Sequence, residues 1–79
     1  MNTYKRIKSV KELGMSVRTL RKAHKLNSLD IADIAGVGNK FLSNLENGKK
    51  ESLEFGKILD VLNALGIELH VKEPKASDV

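Results

Sequence analysis

Apolar residues recur along this chain with helical spacing in four blocks, then switch to strict alternation. Val10, Leu13, Val17 and Leu20 form the first stripe, with Arg18, Lys22 and Lys25 lying off it. Ser9, followed three residues later by Glu12, is a capping-box signature, so this helix is expected to start near Val10 and to end near His24 and Lys25. The second block is Ile31, Ala32 and Ala35, opened by Asn27 as a cap and closed by Gly36, after which Val37 turns into the core. The third runs from Asn39 to Glu46, where Leu42 and Leu45 face inward and Asn39, Lys40, Ser43 and Asn44 face outward. Gly48 closes it. Phe55, Ile58, Leu59, Leu62 and Leu65 make the fourth, with Ser52 as the expected cap and Gly66 as the stop. Gly56 interrupts that helix at a cost of roughly 1 kcal/mol relative to alanine, which points to close packing against a neighbouring backbone.

After Gly66 the period falls to two. Ile67, Leu69 and Val71 alternate with Glu68, His70 and Lys72, the pattern of a half-buried strand. No other segment reads as a strand, so its partner is expected to be the same strand of a second copy across a two-fold axis. Ile67, Leu69 and Val71 are then the dimerisation residues. The chain divides into a flexible basic arm (1–8), a helical domain (9–66), a dimerisation strand (67–72) and a disordered tail (73–79).

The stretch from Asn27 to Lys49 carries the functional signal. Two short helices joined by a glycine turn form a helix-turn-helix, whose second helix presents a polar, hydrogen-bonding face suited to the major groove of DNA. Gly36 is needed because the chain reverses there through a left-handed conformation. Ala32 is small enough for the point where the two helices cross.

Composition narrows the class. At 79 residues the chain is one small domain whose marginal core favours association with a partner. It has no cysteine, so no disulfide, thiolate metal site or cysteine nucleophile. No apolar run approaches membrane-spanning length and no signal-peptide pattern opens the chain, which places the expectation in the cytoplasm. The net charge of +4 is uneven: residues 1–25 hold eight basic side chains and one acidic, whereas residues 51–79 hold three basic and six acidic. A basic third beside a polar helix is the field that attracts a polyanion. His24 and His70 lack ligand-spaced neighbours, so no metal or other cofactor is expected. No nucleophilic triad, phosphate loop or carboxylate pair is legible, and a non-enzyme is expected.

The close Leu45, Glu46, Asn47, Gly48 and Lys49, together with Asn27, Ile31, Ala32, Gly36, Val37 and Leu42, resembles the helix-turn-helix of the Xre and phage-repressor superfamily. Ser28 and Leu29 stand where that superfamily has Gln and Glu. Lys25 stands where it usually has a glycine after its first helix, and is therefore expected to be left-handed. With the run from Leu65 to Val71 added, the chain resembles the HipB-like antitoxin regulators. The resemblance implies a mainly α, lambda-repressor-like bundle of four main helices with a short C-terminal β-strand that pairs across a dimer.

It also implies roles for residues. Base contacts fall on Asn39, Lys40, Ser43 and Asn44, since asparagine suits adenine and lysine suits guanine acceptors. Phosphate contacts are expected at the second helix start, Asn27 and Ser28, and in the closing loop, Asn47, Lys49 and Lys50. Arg18 and Lys22, with Lys5 and Arg6 of the arm, add nonspecific attraction. Arg21 and Glu46 occupy the positions of the family's salt bridge, costing on the order of 3–5 kcal/mol to break from one side if buried and under about 1 kcal/mol if exposed. The implied protein is a dimeric repressor of double-stranded DNA carrying an inverted repeat, with a HipA-type serine/threonine kinase toxin as partner. Two other readings stay open: a toxin-binding module that binds no specific DNA, and a phage-type repressor without a toxin.

Overall fold

The computed structural model describes residues 4–49 and 52–74. Four helices lie among them: α1 (Val10–Ala23), α2 (Ser28–Ala35), α3 (Asn39–Asn47) and α4 (Phe55–Leu65). Residues 1–3 of the arm, residues 75–79 of the tail and Lys50 lie outside the described residues.

Local chemistry accounts for the boundaries. At the start of α1, Ser9 Oγ accepts the Glu12 backbone N–H at 3.1 Å. The Glu12 carboxylate reaches back to the Lys8 N–H at 2.8 Å, one residue earlier than in a standard capping box. At its other end His24 is the cap and Lys25 has φ +57°. The Lys25 N–H bonds Lys22 O and the Leu26 N–H bonds Arg21 O, a Schellman closure with lysine in the left-handed position that glycine usually fills. Asn27 Oδ1 accepts the Leu29 N–H at 2.7 Å and opens α2. Gly36, Gly48 and Gly66 all have positive φ and end α2, α3 and α4 in turn.

The core is Val17, Ile31, Ala32, Leu42, Leu45, Ile58, Val61 and Leu62. It is small, and at about 1.5–3 kcal/mol per fully buried aliphatic side chain each member matters. The most extensive helix pairing is α1 on α3, followed by α2 on α4.

Three expectations are corrected. The cap of α4 is Glu54, which makes no side-chain cap bond, and Ser52 lies outside the helix. Phe55 is 57% exposed because the first turn of α4 extends beyond the packed core, and the buried stripe is Ile58, Val61 and Leu62. A Cβ at Gly56 would meet nothing within 4 Å, so no backbone packs closely there. The close approach is at Gly14 instead.

Residues 67–74 have no regular secondary structure, and no strand occurs among the described residues. A strand needs a ladder partner, and the described residues supply none. Ile67 packs against the core, while Leu69 and Val71 are exposed. No helix among the described residues is long and apolar enough to cross a membrane.

Candidate nucleic-acid interface

The position of α3 is set from its buried side. A Cβ built on Gly14 would fall 1.7 Å from the Leu45 carbonyl oxygen, so the two helix backbones touch where only a hydrogen fits. Two turns further along α1 the seam is locked by charge. Arg21 donates from Nε to Glu46 Oε2 at 2.7 Å and from Nη2 to Glu46 Oε1 at 2.8 Å, a two-pronged pair with side chains only 12% and 5% exposed. Its remaining arm, Nη1, donates to Leu26 O at 2.8 Å. One guanidinium therefore joins α1, α3 and the link into α2. The hydrogen bonds to Glu46 raise the Arg21 pKa above its ordinary value, desolvation opposes this, and the charge of Glu46 adds to the rise.

Above this pair lies a polar groove lined by Arg18 and Lys22 of α1, Ser28 of α2, and Asn39, Ser43 and Asn47 of α3. Asn39, Ser43 and Asn47 succeed one another at four-residue intervals, which places them on one face of α3. Ser28 and Asn39 are the first residues of their helices, so two helix starts open on the groove and add positive dipole ends to its cations. Gly38 offers α3 no side-chain cap. Since Glu46 neutralises Arg21, the free positive charge lining the groove comes from Arg18 and Lys22.

The groove gathers only part of the expected site. Of the four residues assigned to bases, Asn39 and Ser43 line it, whereas Lys40 and Asn44 do not, and Lys40 is exposed. Of the phosphate set, Ser28 and Asn47 line it. Asn47 Nδ2 is tied back to Ser43, donating to its carbonyl oxygen at 2.8 Å and to its Oγ at 3.2 Å. Asn27 is outside the groove with its oxygen occupied as the α2 cap. Lys49 is exposed, and its backbone N–H closes α3 on Asn44 O.

Arg18 and Lys22 gain a specific place here, which their spacing of four on the polar side of α1 already hinted at. Lys5 and Arg6 belong elsewhere: they line a second groove with Ile67, Glu68, Leu69 and His70. No cluster of three or more metal-ligating side chains occurs among the described residues.

Residues 14–70 match the family described as helix-turn-helix domain. The uncharacterized HTH-type transcriptional regulator y4mF of Sinorhizobium fredii is 40% identical over 70 residues, spanning 89% of this chain and 91% of that protein. In three dimensions the chain is similar to HipB in the HipB-O4 20mer complex, at TM-score 0.80 and 18% identity over 91% of this chain and 100% of that one. HipB in the HipA-HipB-O2-O3 complex gives TM-score 0.77, with 18% identity over 91% of this chain and 100% of that one. The restriction-modification controller protein C.AhdI from Aeromonas hydrophila gives TM-score 0.66 and 27% identity over 75% of this chain and 88% of that one. The HipB likeness, at that identity, is a likeness of fold.

Proposed function

The chain belongs to the helix-turn-helix domain family and is a helix-turn-helix transcriptional regulator, and from that premise we propose that it is a dimeric, sequence-specific repressor of the HipB-like antitoxin type. The observation that carries the DNA reading is the groove in which Arg18 and Lys22 flank Ser28, Asn39 and Ser43. Cations and helix starts grip phosphates there while α3 enters the major groove. Lys40 and Asn44, together with Asn39 and Ser43, then read base edges, and Asn27, Lys49 and Lys50 add backbone contacts. A two-fold dimer presents two such helices, so the target is an inverted repeat with half-site centres about 34–36 Å apart. Segment 67–72 forms the intersubunit strand.

The partner of antitoxin type is a HipA-type serine/threonine kinase, a reading supported by the fold shared with HipB, which is known in complex with HipA. Selection of bound duplexes from random DNA at physiological salt tests the repressor. An enriched inverted repeat, whose affinity falls steeply with salt, is the expected result. Failure to enrich any sequence overturns it. A kinase-like product of a neighbouring reading frame that binds the purified chain supports the antitoxin role, and the lack of such a neighbour removes it.

A further inference from the structure

The segment after α4 is an open edge. The Ile67 N–H closes the helix on Leu62 O at 2.9 Å, but among the described residues no backbone group of residues 68–74 bonds another backbone group. Its side chains nevertheless sort by twos. Glu68 Oε1 and His70 Nε2 meet at 2.8 Å on one side, and the alternate set is Ile67, packed on the core, with Leu69 and Val71 50% and 82% exposed. Grooves flank the segment, one against Leu59 and Leu62 of α4 and the other against Ile7 and Leu13. The Tyr4 ring meets His70 edge-on, with centroids 5.6 Å apart.

We propose that two copies of this segment pair antiparallel with Leu69 on the two-fold axis, placing Ile67 opposite the partner's Val71 and Glu68 opposite the partner's His70. This register rests on the dimeric reading above and extends it. Residues directly opposed in an antiparallel ladder point to the same face of the sheet. In a pair related by a two-fold axis through the sheet, the axis must therefore fall on a residue and not between two. The sequence then separates the choices. An axis at Glu68 sets two carboxylates against each other. One at His70 opposes two imidazoles and leaves Ile67 against the partner's Glu73. One at Val71 puts His70 against the partner's Lys72, and one at Ile67 runs into the end of α4. Leu69 alone opposes apolar to apolar throughout and sets carboxylate against imidazole twice. Each Glu68 then exchanges its own His70 for the partner's, while Leu69 meets its own copy on the face that covers the core.

Because the chain contains no cysteine, a single introduced cysteine reports the distance between equivalent residues. On the axis that Cα separation is about 4.5–5.5 Å, within disulfide range, and one residue away it is about 7–8 Å or more, outside it. Under mild oxidation, Leu69→Cys should cross-link at least about tenfold faster than Glu68→Cys or His70→Cys. In parallel, His70→Glu opposes like charges twice and should weaken self-association about tenfold, whereas Glu68→Lys only removes the two carboxylate–imidazole contacts and should weaken it less. Mixing these two variants should restore a heterodimer, since each chain then meets the opposite charge. Faster cross-linking of Glu68→Cys or His70→Cys, or no recovery on mixing, overturns the register. Sedimentation of the unaltered chain separates the two failures: a dimer with the wrong cross-link sinks the register alone, and a monomer at every concentration sinks the dimeric reading with it.

Discussion

The α1–α3 seam and the α4 end of the molecule are built on opposite terms. At the seam, Gly14 lets backbone touch backbone, and Arg21 holds Glu46 and Leu26 O with every arm of its guanidinium. At the other end α4 opens without a side-chain cap, Gly56 faces empty space, and the segment after Gly66 has no backbone partner among the described residues. The difference teaches where rigidity is placed. The helix that carries the proposed recognition face is fixed from behind by contacts that tolerate no added atom. The end assigned to a second copy is left unfilled.

Substitution at Gly14 tests that contrast most severely. Gly14→Val puts a branched side chain into the Leu45 backbone, and the helices must part along the seam. The expected loss is more than about 4 kcal/mol, in the exceptional range for one substitution and a large share of the 5–15 kcal/mol typical of a folded domain. Urea unfolding measures it, and a loss below about 1 kcal/mol would mean that the seam has slack. Glu46→Ala comes next, at about 3 kcal/mol, because it leaves Arg21 nearly buried with only Leu26 O as partner. Glu46→Gln keeps the shape and one acceptor and should lose less. If both variants melted like the unaltered chain, the pair would behave as an exposed one.

Most of the core and the polar face of α3 were legible because aliphatic periodicity and glycine stops are local signals. Lys25 was legible too, once no glycine followed α1. Gly14 was not, since a glycine inside a helix carries no periodic signal, and its purpose lies in a backbone 31 residues away. Ser52 misled because a capping residue marks a helix start only when the chain turns there, and the chain turns at Glu54. Of the expected α4 stripe, Ile58 and Leu62 are buried and Leu59 and Leu65 pack against the core, while Phe55 is exposed and Val61 joins the core, because the packing of α2 against α4 sets which side of the helix faces inward. The groove joining Arg18, Lys22, Ser28 and Asn39 combines three helices and needs their crossing angles, which no single stretch contains.

Lys40 carries the comparison across α3 itself, from the locked side to the open one. It is exposed and lies outside the groove, so Lys40→Ala should change stability by less than about 0.5 kcal/mol. If it reads a base as proposed, the same substitution should weaken binding to the selected duplex by about 1–3 kcal/mol and relax preference at one position. A uniform loss on all sequences, with a shallower salt slope, would make it a phosphate contact instead. Unchanged binding would remove it from the interface.

The smallest expected effect has the opposite sign and falls at the open end. Gly56 lies inside α4 in a conformation that needs no glycine, and a methyl group there meets no atom within 4 Å. Gly56→Ala therefore adds no clash, narrows the unfolded ensemble and raises helix propensity, for a gain of about 0.5–1 kcal/mol. The same addition of one carbon at Gly14 should be strongly destabilising. Measured together by thermal unfolding at one protein concentration, the two alanine variants place the contrast in a single chemical change. Destabilisation by Gly56→Ala would mean that something covers the start of α4 in solution. A loss that grew with protein concentration would identify a second copy as that occupant, because only an intersubunit contact depends on mass action.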